Sequence, residues 1–178
     1  MDTVDTAEER LFTLASAVDF ARRYYALAQA GSGDKADCDL PVTEVAAVLR
    51  STGRIFELHR KERFFATREA DVDGELGLNL ALNGSVEFIL VARGPDGHFG
   101  RAFTLLARQV AERDTPELTP PVRAPRPSYS DLADLQSVLA EGFGLYSDWA
   151  AAIKSSGLIH QGKGRSPKKM RKLSFPGG

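Results

Sequence analysis

The stretch Glu69-Ala70-Asp71-Val72-Asp73-Gly74 sets acids at its first, third and fifth positions and a glycine at its sixth, as at the start of a calcium loop. Calcium needs a bidentate carboxylate at the twelfth position, and Leu80 stands there. A strand pattern also begins at Glu75, where that motif requires a loop and then a helix. The stretch therefore reads as an acidic hairpin tip from which Glu69, Asp71, Asp73 and Glu75 project toward a partner.

His59, His98 and His160 have no metal-motif spacing between them. Each reads as a surface histidine. Cys38 is the only cysteine, so an internal disulfide and a multi-cysteine zinc site are excluded. Its neighbours Asp37 and Asp39 raise a thiol pKa, which opposes a nucleophilic role. Nucleophile elbows, Walker loops and dinucleotide fingerprints are absent. Gly142-Phe143-Gly144 and Gly162-Lys163-Gly164-Arg165 lack the strand–turn–helix setting that gives glycines a phosphate role. The sequence thus offers no catalytic residue, no cofactor site and no metal ligand.

Lys163, Arg165, Lys168, Lys169, Arg171 and Lys172 form a basic tail able to contact a polyanion by charge alone, without sequence preference. Lys168 to Lys172 also fits a nuclear-localisation pattern, and Ser166-Pro167 a phosphorylation site. The plainer reading is a solvated tail. Arg60, Lys61, Arg63 and Arg68 lie near Phe64 and Phe65, as in some RNA-binding strands. The aromatic pattern of such a strand is missing, so both phenylalanines are assigned to the core. Tyr129, Tyr146 and Trp149 are possible interface anchors. Packing of the last helix on a sheet is preferred for Tyr146 and Trp149, while Tyr129 is kept as a partner-binding residue.

The 178 residues are 43% hydrophobic and 26% charged, an ordinary globular composition, and the length suits one domain. The net charge of −1 hides an asymmetry, because residues 1–160 carry 17 basic against 24 acidic side chains, a net −7. Such a body repels nucleic acid and attracts basic partners. No apolar run is long enough for a membrane span, and the acidic Met1-Asp2-Thr3-Val4-Asp5 start lacks the apolar region of a secretory signal. The cytoplasm is the expected location.

The elements that must position these residues are readable from period. Thr6 and Glu9 make a capping-box pattern, and Leu11, Leu14, Ala15, Val18, Ala21 and Tyr25 predict one helix over 7–30, stopped at Gly31. Residues 31–40 read as a polar loop, and a short helix runs from Pro41 or Val42 to Ser51, with Gly53 as its exit. Strand composition appears at Ile55–Leu58 and Arg63–Thr67. Leu76, Leu78, Leu80 and Leu82 alternate with small or polar residues as a strand with one buried face.

Asn83-Gly84 predicts a type I′ hairpin into Val86–Ala92, which is apolar on both faces after Glu87 and is placed centrally. Gly94-Pro95-Asp96-Gly97 is the next turn. A strand is predicted near His98–Leu105, with helix over 106–113 as the alternative continuation. Five prolines between 114 and 129 predict an extended connector over the body. Ser130 or Asp131 caps a last helix in register almost to Ser155, which Gly142 and Gly144 either weaken or split in two.

The expected fold is α+β. N-terminal helices precede an antiparallel meander of about four to five strands, and a C-terminal helix packs on one face of the sheet. Residues 1–157 form one domain, and 158–178 a disordered basic tail.

The expected function is that of a partner-binding protein without catalytic activity. In its most concrete form it is an immunity protein or antitoxin that neutralises a basic toxin through the acidic surface. Two readings stand beside it. One is an assembly component docking its tail on nucleic acid or an acidic partner. The other is a hydrolase or transferase whose site is assembled from distant segments. A homodimer is compatible with all three.

Overall fold

A computed structural model describes residues 7–30, 40–61, 64–68, 76–94, 97–120 and 125–158. The sheet consists of β1 (Glu57–His59), β2 (Phe64–Arg68), β3 (Leu76–Leu82), β4 (Val86–Gly94) and β5 (Gly97–Ala102). Its strands lie in sequence order and every neighbouring pair is antiparallel. Short hairpins permit no other pairing. The α+β meander read from the sequence is the observed architecture.

Three helices come before the sheet, α1 (Ala7–Ala17), α2 (Phe20–Ala30) and α3 (Val42–Ser51). Two follow it, α4 (Phe103–Asp114) and α5 (Leu132–Ser156). Leu76, Leu78 and Leu80 of β3 and Phe88 and Leu90 of β4 are fully buried on the inner face, together with Phe20, Phe103 and Trp149 from the helices. None of the described helices is long and apolar enough to cross a membrane.

The single helix expected over 7–30 is two. Val18 and Asp19 donate backwards to Ala15 and Ser16 carbonyls at 3.3 and 3.0 Å, and Asp19 takes a φ of 52°. This left-handed residue ends α1 and restarts the chain. The restart puts the Phe20 ring 4.8 Å from Phe103 and 5.2 Å from Trp149. Across the molecule, Arg10 donates to the Ser156 carbonyl at 3.1 Å, and Arg23 pairs with Asp148 at 2.8 Å. The first two helices are thereby tied to the last.

The turn after β3 also departs from expectation. Leu82 pairs with Val86, so three residues form the loop, and only Gly84 has positive φ, at 60°. A type I′ turn would need two such residues. The strand expected near His98–Leu105 stops at Ala102, and α4 starts at the next residue. Continuing the strand would deny the core Phe103, which stacks on Phe88 at 5.4 Å. The connector contains a 3-10 turn at Pro116–Leu118, and Pro127 to Tyr129 run along the β3–β4 hairpin through an antiparallel bridge between Ser85 and Ser128. Val86 donates to the Pro127 carbonyl at 2.8 Å and Tyr129 to the Gly84 carbonyl at 3.2 Å.

The last helix is continuous. Asp131 caps it by accepting from the Asp134 amide at 2.8 Å, and Gly157 leaves it at φ 72°. Gly142 marks close packing: a Cβ there would lie 2.1 Å from the Phe88 ring, whereas Gly144 faces open space.

Candidate functional site

Most of the expected site residues lie outside the described residues. These are Glu69, Asp71, Asp73 and Glu75, the cations Lys163, Arg165, Lys168, Lys169, Arg171 and Lys172, and also Cys38 and His160. Tyr129 is described and only 6% exposed, so its ring belongs mainly to the core. Tyr146 and Trp149 are fully buried, as the packing reading had it. The charge divides informatively. The described residues carry 13 of the 24 acids against 14 basic residues, so the acid surplus resides in the remaining segments, chiefly 1–6, 31–39 and 69–75.

What the described residues do bring together is the second face of the sheet. The described helices pack on the inner face, on one another and, at the start of α4, over the Glu87 end of the outer face; Phe64, Ile89 and Val91 of the outer face are not part of the core they enclose. The register sets its rows. One row runs His59, Phe64, Ala81, Glu87; the next runs Glu57, Ala66, Asn79, Ile89, Ala102; the third runs Arg68, Gly77, Val91, Gly100. Phe64, Ala81, Ile89 and Val91 are half-buried and Ala66 is buried. The centre is thus apolar and low in profile.

Cations edge it. Arg68 lies flat across Gly77, where a Cβ would be 2.5 Å from the arginine Cδ, and its Nη1 donates to the Thr67 carbonyl at 2.7 Å and to Asn79 Oδ1 at 3.1 Å. Glycine at 77 is what lets the guanidinium rest on the sheet. Exposed Arg93 donates to His98 Nδ1 at 3.4 Å across β4 and β5. At the opposite edge the His59 ring stacks on Phe64 at 4.5 Å, and its Nε2 lies 4.0 Å from Glu57. Phe64, assigned to the core from sequence, therefore lies on the outer face, whereas Phe65 is buried among the core residues. His59 and His98 stand on opposite edge strands and form no pair.

One end of this face is closed by a buried polar cluster. Glu87, 8% exposed, accepts from the Thr104 hydroxyl through Oε1 and pairs with Arg126 through Oε2. Thr104 is in the first turn of α4, where the helix dipole also favours a carboxylate. The Tyr24 hydroxyl lies 3.1 Å from Thr104 Oγ1 and 3.2 Å from the Pro125 carbonyl, and its one proton serves both. The cluster fastens the connector to α2, β4 and α4. Glu87 and the Thr104 and Tyr24 hydroxyls are engaged with partners inside the cluster, so the arrangement is a clasp and offers no free base or nucleophile. Among the described residues no three His, Cys, Asp or Glu side chains gather as a metal site.

Two expected results follow from the clasp. Glu87→Ala leaves the buried Thr104 hydroxyl without its acceptor and should cost about 1–3 kcal/mol. Hydrogen exchange of the Val86 and Tyr129 amides, which bind the connector and hairpin together, should accelerate; unchanged exchange would separate Glu87 from connector docking. Burial pushes the Tyr24 phenol above its ordinary pKa, with the Thr104 hydrogen bond opposing and Glu87 adding to the rise. Tyr25 is raised as well, chiefly by burial. A raised folded pKa leaves stability intact below the unfolded value, about 10, and removes it as pH climbs from there toward the folded value. Alkaline titration followed at phenolate absorbance should show the Tyr24 ring ionising only with unfolding.

Sequence reading missed both features. The Val86–Ala92 run was legible as apolar on both faces, but one-sided helix packing is a tertiary property. Glu87 stood out only as the single acid in that run. No family model, no curated protein and no solved structure matches the chain.

Proposed function

We propose that this is a partner-binding protein whose recognition surface is the outer face of the sheet. The observation that carries the reading is the asymmetry of the two faces. Helices pack on the inner one, while the outer keeps Phe64, Ala81, Ile89 and Val91 half-buried inside a polar and basic edge. An apolar centre with a polar rim is the anatomy of a protein interface, in which arginine is enriched.

The test is affinity capture with quantitative mass spectrometry, using three forms of the full chain. These are the wild type, Val91→Glu on the outer face, and a form with Lys168, Lys169, Arg171 and Lys172 changed to Gln. A stoichiometric partner lost only with Val91→Glu is the expected result. Loss only with the neutralised tail would move the function to an assembly role on nucleic acid or an acidic partner.

A second reading has its own support. The acid surplus lies in segments 1–6, 31–39 and 69–75, with Glu69, Asp71, Asp73 and Glu75 clustered in the last. Those acids would attract a basic protein, and an immunity protein or antitoxin is the concrete form of that role. A basic partner lost on changing these four residues to Asn and Gln, and retained by Val91→Glu, would favour it.

A further inference from the structure

We infer that the outer face of the sheet takes an acidic amphipathic helix of a partner protein. The inference rests on that face being the recognition surface and adds the chemistry of what it recognises. An apolar sheet face is buried in proteins by a helix layer or a second sheet. This face is low where Ala66, Ala81 and Gly100 lie, Arg68 lies across Gly77, and the apolar side chains that rise at its centre are Phe64, Ile89 and Val91. A helix can lay an apolar stripe along such a surface, with polar flanks reaching its edges.

Those edges select the sign of the flanks. Arg68 and Arg93 are exposed on the face, and exposed Arg60 and Lys61 stand in the turn between β1 and β2. Among the described residues of the three rows, Glu57 is the one acid left to present, because Glu87 is occupied by Thr104 and Arg126. Arg68 is already held in place by Asn79 and the Thr67 carbonyl, so it loses little freedom on meeting a carboxylate.

The same features disfavour two other occupants. A second copy packed face to face would oppose arginines with arginines. Single-stranded RNA needs stacking platforms, whereas Ile89, Val91 and the alanines at the centre are aliphatic, and the one aromatic pair, His59 and Phe64, is stacked on itself.

The test titrates the isotope-labelled full chain with three probes, each followed by amide chemical shifts. The first is a synthetic helical peptide whose leucine stripe is flanked by Glu, the second is the same peptide with Lys for Glu, and the third is an oligouridylate. The Glu peptide should saturate and shift the amides of β2, β3 and β4. Arg68→Glu should weaken it about tenfold, Val91→Glu should abolish it, and both variants should keep the wild-type spectrum elsewhere.

Tighter binding of the Lys peptide to the same amides, as the acids of 69–75 would favour, overturns the acidic partner and leaves the recognition face standing. Preferential shifts with oligouridylate replace it with nucleic acid. Self-association in sedimentation that Val91→Glu relieves replaces it with a second copy. If no probe shifts these amides, the acidic helix is overturned; the recognition face falls with it only if Val91→Glu also leaves partner capture unchanged.

Discussion

Trp149→Ala should lower unfolding free energy by about 3–5 kcal/mol, read as an earlier midpoint in a urea melt. The indole is fully buried in α5, with ring centroids 5.2 Å from Phe20, 6.1 Å from Phe103 and 6.5 Å from Phe99. It joins a helix from each end of the chain to the edge of the sheet, so truncation opens a cavity that no single element can collapse into. Trp149→Phe is the informative companion. Among the described residues the indole N–H meets no acceptor, and an unsatisfied buried donor is costly to keep. Phenylalanine keeps most ring contacts and removes that donor, so its loss should be well under that of alanine. A near-neutral alanine variant would mean that the ring serves an interface instead of the core.

The second large effect is a sign reversal two residues apart. Alanine normally stabilises a helix relative to glycine by about 1 kcal/mol, and Gly144→Ala should show this gain because nothing stands near the added methyl. Gly142→Ala should do the opposite. Its Cβ would meet three Phe88 ring carbons at 2.1, 2.5 and 2.7 Å, and that ring is fully buried between Phe103 and Phe143. The ring has no open side to move into, so overpacking of about 1–3 kcal/mol outweighs the helical gain. Thermal melts of the two single variants decide it. Equal stabilisation by both would place the closest approach of α5 to β4 elsewhere. Phe88→Leu should rescue part of the Gly142→Ala loss by shortening the opposing side chain.

Those glycines also show where sequence reasoning ends. The apolar register from Leu132 to Ile153 announced helix, and the glycines within it left one helix or two equally open. Only the Phe88 ring beneath Gly142 explains a residue that local propensity disfavours. The leucines of β3 were legible because a half-buried strand writes its two faces into alternate positions. The break at Asp19 was hidden, since Leu11, Leu14, Ala15, Val18, Ala21 and Tyr25 keep helical spacing across it, and the break exists to aim Phe20 at Trp149. The end of β5 was hidden for a similar reason, as Phe103 suits a strand locally and is claimed by the core. The candidate site was the least legible part. Ile89 and Val91 look like central-strand residues, and nothing local says that one of their two sides lacks a helix.

The placement of α5 has a consequence for the protein's birth on the ribosome. Synthesis delivers the whole meander before the helix that shields it, and the Arg10–Ser156 and Arg23–Asp148 links wait until nearly the last described residue is made. Until then Leu78, Leu80, Phe88 and Leu90 have only α1 to α4 for cover. A nascent or prematurely terminated chain should thus be a client for chaperones and prone to clumping, while the finished chain closes over its sheet in a late, long-range step.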